Sequence, residues 1–104
     1  MSEFQRVAKL PELPDPGTVT LEIDDRFVLL VRSGDHVYCI DDVCTHDGGP
    51  LGEGRLDGLQ ICCPRHGARF DVTTGKPLTM PATEPTIAHE VRVEQDEVWV
   101  RLSE

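Results

Sequence analysis

The sequence predicts an all-β protein: an antiparallel barrel or sandwich carrying an inserted, loop-rich segment. Three observations predict it. Short alternating runs rich in β-branched residues recur at 18–23, 26–32, 36–40, 88–93 and 98–102, each bounded by turn residues. Between the third and fourth runs, Gly48, Gly49, Pro50, Gly52, Gly54 and Gly58 break any long regular element. Nowhere does an apolar period of 3.6 residues sustain a helix.

Taken in order, residues 3–10 alternate weakly and predict an edge strand. Pro11, Pro14, Pro16 and Gly17 then enforce a loop, because proline fixes its own φ and lacks an N–H. The run 18–23, the turn Asp24-Asp25, the run 26–32, the turn Ser33-Gly34-Asp35 and the run 36–40 predict an antiparallel meander. The run 26–32 is almost wholly apolar between its arginines, which predicts a central strand. From Asp41 the pattern breaks. Short strands are expected at 59–62 and 69–72, followed by an extended loop stiffened by Pro77, Pro81 and Pro85. A hairpin turning at 94–97 closes the chain. At 104 residues this is one domain, residues 1–104. A base is expected from 1–43 and 82–104, with a loop-rich subdomain at about 44–80.

The formal charge is −9, which excludes nucleic acid as a partner, since phosphates need Lys and Arg. The surplus is uneven. Within 44–80, Arg55, Arg65, Arg69 and Lys76 balance Asp47, Glu53, Asp57 and Asp71, so the excess lies on the base. No apolar run approaches a membrane span, and the N-terminus lacks the basic and apolar regions of a secretory signal. The expected location is cytoplasmic, without membrane attachment.

The chemistry concentrates between Cys44 and His66. Cys44-Thr45-His46 opens the stretch and Cys63-Pro64-Arg65-His66 closes it: C-x-H, then C-x-x-H. Two thiols and two imidazoles in two short pairs suit a metal centre. Zinc takes such ligands, but its usual pairs are like with like. Here each loop supplies one Cys and one His. If the two thiolates bind one iron and the two imidazoles another, each loop reaches both irons, the geometry of a [2Fe–2S] cluster clamped between two loops.

The segment resembles a Rieske iron–sulfur protein. The matching residues are Cys44-Thr45-His46, Pro50-Leu51, Gly52, Gly54, Cys63-Pro64-Arg65-His66-Gly67, Phe70-Asp71 and Thr74-Gly75, with Pro81-Ala82 and Pro85 fitting the family's proline loop. The resemblance implies a Rieske-like fold with one [2Fe–2S] cluster per chain. It places Cys44 and Cys63 on the buried iron and His46 and His66 on the outer one. It also implies a soluble one-electron carrier, not itself an enzyme, that takes electrons from a ferredoxin reductase to a terminal oxygenase and binds no small-molecule substrate. His46 and His66 then form the exit edge, bordered by Arg65, Gly48, Gly49 and the Pro81 loop. Other readings are a small Rieske-like subunit of a reductase complex, such as nitrite reductase, and a zinc-stabilised binding module.

Two absences refine the resemblance. Rieske proteins of respiratory and photosynthetic chains add a disulfide-bonded cysteine in each loop. Here Arg65 stands at the second of those places and no cysteine occupies 47–51. Such proteins also set Ser and Tyr hydroxyls near the cluster sulfurs, where this chain has Ala68 and Phe70. Hydrogen bonds to sulfur stabilise the reduced cluster, so their loss implies a potential at the low end of the Rieske range, about −150 mV. Two thiolates and two imidazoles leave the oxidised centre without net charge, which makes it easier to reduce than a four-thiolate centre. Adjacent residues of an extended chain point to opposite sides, so only one of Cys62 and Cys63 faces the site, and the family's spacing selects Cys63. Cys39 is expected in the core, and His36 and His89 at the surface.

Overall fold

The computed structural model describes residues 3–45, 48–64, 67–80 and 84–103. Its strands are β1 (Gln5–Lys9), β2 (Gly17–Ile23), β3 (Arg26–Ser33), β4 (His36–Asp41), β5 (Arg55–Asp57), β6 (Gln60–Cys62), β7 (Arg69–Asp71), β8 (Ala88–Glu94) and β9 (Glu97–Arg101), with a single 3₁₀ turn at Leu10–Glu12. A six-stranded antiparallel sheet has the order β1-β9-β8-β4-β3-β2, and β5-β6-β7 form a second, three-stranded sheet. The fold is all-β, as the alternation predicts.

The large sheet curls. Val7 and Ala8 from one edge strand and Val19 and Leu21 from the other pack against the same core, which contains Leu10, Leu13, Val28, Leu30, Cys39, Val98 and Val100. The right-handed twist of adjacent strands makes such closure possible. The turns Asp24-Asp25 and Gln95-Asp96 keep positive φ at both central residues, the two-residue hairpin geometry whose twist matches the flanking strands.

Strand β3 explains its own apolar run. Val28 and Leu30 enter the core inside the curl, while Leu29 and Val31 enter a second core shared with Cys44, Leu51, Ile61, Cys63, Ala68, Phe70 and Val72. A strand buried on both faces cannot alternate with polar residues. The small sheet therefore sits on the outer face of β3 and β4, and this second core positions the loops.

Two expectations need correction. Residues 55–57 are a strand, not loop. Asp57 pairs with Gln60 across the two-residue turn Gly58-Leu59, in which Gly58 has φ +61°, a glycine-first hairpin signal outweighed by the surrounding glycines. His89 is buried, not at the surface: its side chain is 0% exposed. It lies in phase with Val91 and Val93 on β8, so the period of two already turned it inward. Burial is tolerated because both ring nitrogens are bonded. The Ser103 N–H donates to Nδ1 at 2.9 Å, so Nε2 carries the proton and donates to Asp41 at 2.7 Å. Arg26 donates to both oxygens of Asp41 at 3.0 Å and to the Ser103 carbonyl at 2.6 Å. This network fastens the C-terminal end of the chain to β3, β4 and β8.

Candidate metal centre

Cys44 and Cys63 come from separate loops and lie in one buried cluster, at 0% and 1% exposure. Each stands at the root of a loop, and the two loops are bonded alike. The Cys44 N–H donates to the Gly49 carbonyl at 2.7 Å, and the Gly48 N–H returns to the Cys44 carbonyl at 2.7 Å. In the other loop the Cys63 N–H donates to Ala68 at 2.7 Å, and the Gly67 N–H returns to Cys63 at 3.0 Å. Donor and acceptor are five and four residues apart in both. Each return bond is closed by a glycine in the left-handed region, Gly48 at +78° and Gly67 at +73°, where a Cβ is disfavoured. Matched knuckles on a shared core present two thiol side chains in equivalent settings.

His46 and His66, the imidazole partners expected from the sequence, lie outside the described residues, as do Arg65 and Pro81. Among the described residues no group of three or more His, Cys, Asp or Glu side chains assembles into a metal site.

The roots of the loops are braced. The Asp42 carboxylate accepts the Gly52 N–H at 2.7 Å, and the Gly54 N–H donates to Leu51 at 2.9 Å, holding fully buried Leu51 in the core. Thr45 donates its hydroxyl to the Glu84 carbonyl at 2.7 Å, joining the first loop to the segment after the prolines. That segment bonds onward through Thr86 N–H to Gly75 at 2.9 Å and through Ile87 to the Asp41 N–H at 2.8 Å. Across the small sheet Arg69 bridges to Asp57 at 2.9 Å. The hydrogen bond and charge of Arg69 hold the Asp57 carboxyl below the usual carboxylate range.

None of the four cysteines is joined in a disulfide, but their settings differ. Cys39 lies inside the curl of the base, away from the loops. Burial first, and the Asp41 charge second, push its thiol up to about 12. Cys62 is half-buried, outside the core that holds Cys63, and is paired across the sheet with Arg55 and Arg69. The buried thiols at the knuckles are those of Cys44 and Cys63. Ala68 and Phe70, both fully buried in the same core, bring no hydroxyl to it. Sequence reasoning missed the Arg26–Asp41–His89 network, for which the phase of His89 was the available signal.

An all-β protein in which a curled base carries two matched cysteine knuckles on a shared core belongs to the class of loop-held metal proteins. Comparison with known proteins makes the class specific. The model of the Rieske [2Fe-2S] domain matches residues 3–96, and the chain belongs to that family. It is 48% identical over 87 residues to ferredoxin CarAc of Metapseudomonas resinovorans, covering 82% of this chain and 81% of that protein. Its structure is similar to the ferredoxin of carbazole 1,9a-dioxygenase from Nocardioides aromaticivorans IC177, with a TM-score of 0.93, 36% identity, and coverage of 98% of this chain and 100% of that one. A further similar chain belongs to a complex of reduced oxygenase and oxidized ferredoxin in carbazole 1,9a-dioxygenase. It has a TM-score of 0.87 and 34% identity, covering 94% of this chain and 92% of that one. The cofactor is one [2Fe–2S] cluster. Paired buried thiols fit it, since thiolates are the ligands of iron–sulfur iron. No helix among the described residues is long and apolar enough to cross a membrane.

Proposed function

We propose that this protein carries single electrons from a reductase to the terminal oxygenase of a multicomponent system, with Cys44, His46, Cys63 and His66 as the four ligands of its cluster. The observation that carries the reading is the pair of knuckles at Cys44 and Cys63, equal in length, bonding pattern and burial. In the sequence a histidine follows each of these cysteines by two or three residues. Residues 44–80 serve as the cluster-binding subdomain and the remainder as its support. The cluster supplies a one-electron couple. The chain holds the thiolates in an apolar core, braces the loops through Asp42 and Thr45, and withholds hydroxyls at positions 68 and 70. That last feature sets the potential near the low end of the Rieske range, about −150 mV. The expected location is cytoplasmic, beside such partners.

A redox titration followed by electron paramagnetic resonance tests the reading on protein purified in air. Stoichiometric iron and acid-labile sulfide with a potential near that value support it. A colourless zinc protein, or a potential above about +100 mV, refutes it. In His66→Cys the cluster is lost or its potential falls; an unchanged potential removes His66 from the ligand set.

A further inference from the structure

Beside the first knuckle the surface opens into a groove of about 690 Å³. Gly48 and Pro50, from the loop rooted at Cys44, form part of it, and Phe27 and Val43 supply its apolar lining. Phe27 is 59% exposed and Val43 38% exposed, although apolar residues elsewhere on β3 are fully buried. The groove is also acidic. Arg26 and Asp41 cancel in their own salt bridge at 3.0 Å, and Asp42 is buried on the Gly52 N–H, leaving Glu53 as the exposed carboxylate of the lining.

We infer that this groove receives a segment of the terminal oxygenase that presents an apolar side chain flanked by lysine or arginine. The inference rests on the electron-carrier reading above and assigns to that reading a docking contact beside the cluster loops. Three arguments select the occupant. An apolar floor with an exposed carboxylate at its rim matches an apolar side chain with a cationic neighbour, the complementarity that steers association and fixes register. A second copy of this chain is disfavoured, because each carries a net charge of −9 and like charges repel. The groove is continuous with the loop that starts at Cys44, so a segment seated in it brings its own protein against the cluster-bearing end. The groove thus supplies an anchor, while electron exit stays at the loops.

The test uses the holoprotein and the oxygenase of the carbazole 1,9a-dioxygenase complex, whose ferredoxin is 34% identical to this chain. Phe27→Ser removes the apolar wall at an exposed position, and Glu53→Lys reverses the rim. Asp35→Lys makes the same charge change at the β3–β4 turn, the far end of the hairpin from Arg26 and Asp41. Visible spectrum, potential and melting temperature verify that each variant is loaded and folded. If Phe27→Ser fails to load, Glu53→Lys carries the test. Affinity is read by calorimetry and electron transfer by stopped flow. The expected result is about a tenfold loss of affinity for Phe27→Ser, as for an aromatic anchor. Glu53→Lys should lose about fivefold at low salt and less at high salt, and Asp35→Lys less than about twofold. Wild-type affinity in both groove variants, or equal losses in Asp35→Lys, overturns the groove as the contact. A concentration-dependent dimer broken by Phe27→Ser overturns the oxygenase as occupant. If the unmodified protein transfers no electrons to the oxygenase, the functional reading fails and takes this one with it.

Discussion

Gly54 and Gly58 flank β5, and for opposite reasons neither accepts a side chain. An ideal Cβ at residue 54 falls 1.9 Å from the Cys62 carbonyl oxygen and 3.1 Å from that of Leu51, with no positive φ involved. At residue 58 nothing lies within 4 Å, but φ is +61°. Gly54→Ala therefore tests close packing, and Gly58→Ala tests backbone strain. To restore ordinary contact, the Cys62 carbonyl must retreat by about 1.5 Å in an interior as dense as a crystal. Cys62 is paired with Arg55 and Arg69 on either side and is joined directly to Cys63, so the displacement passes to the second knuckle. The cost lies at the upper end of overpacking, about 3 kcal/mol. At about 4 °C or more per kcal/mol, that lowers the melting temperature by at least about 12 °C. Gly58→Ala costs about 1 kcal/mol, or about 4–8 °C, and leaves the knuckle in place. Thermal unfolding followed by circular dichroism, with iron and acid-labile sulfide counted per chain, separates the two. Gly54→Ala is expected to melt well below Gly58→Ala and to hold less cluster. Equal melting temperatures with equal cluster content would refute the argument that the β5–β6 hairpin is closed tightly enough to position Cys63.

Other consequences can be measured directly. The folded state raises the Cys39 thiol from 9.0 to about 12, so its contribution to stability is fully present below pH 9 and is lost as the pH rises towards 12. The wild-type protein should lose about 1 kcal/mol by pH 10 and about 3 kcal/mol by pH 11 from this group, and urea midpoints of Cys39→Val should lack that alkaline slope. Asp41→Ala strands Arg26 and the buried ring of His89 together and should cost about 3 kcal/mol in urea unfolding. Asp41→Asn, which keeps an acceptor, should cost less than Asp41→Ala. Leu51→Ala empties a fully buried site in the core behind the first knuckle and should cost about 3 kcal/mol. Its effect on cluster retention should exceed that of the similarly destabilising Asp41→Ala, which acts in the base.

The fold class was legible because alternation and turn residues are local. Edge strand β1 and the final hairpin could be read from periods of two and from their turn residues, and interior β3 from its unbroken apolar run. The knuckle cysteines were legible because their spacing to histidine is short and carried in the chain itself. What sequence could not decide was whatever depends on two distant segments meeting. The Gly58-Leu59 turn closes a hairpin whose second strand, β6, also pairs with β7, a partner beyond the local pattern. His89, turned inward by its phase on β8, stays buried because Asp41 and the Ser103 N–H arrive from two other parts of the chain to bond its ring. Alternation of β3 with solvent fails because two separate cores form on its two faces, and the exposure of Phe27 beside the first knuckle becomes a groove only when residues 48–53 fold back against β3. Spacing along the chain thus determined the chemistry this protein can hold. Tertiary structure decided which surface lies beside that chemistry, because burial and shape arise from contacts between segments that no local pattern encodes.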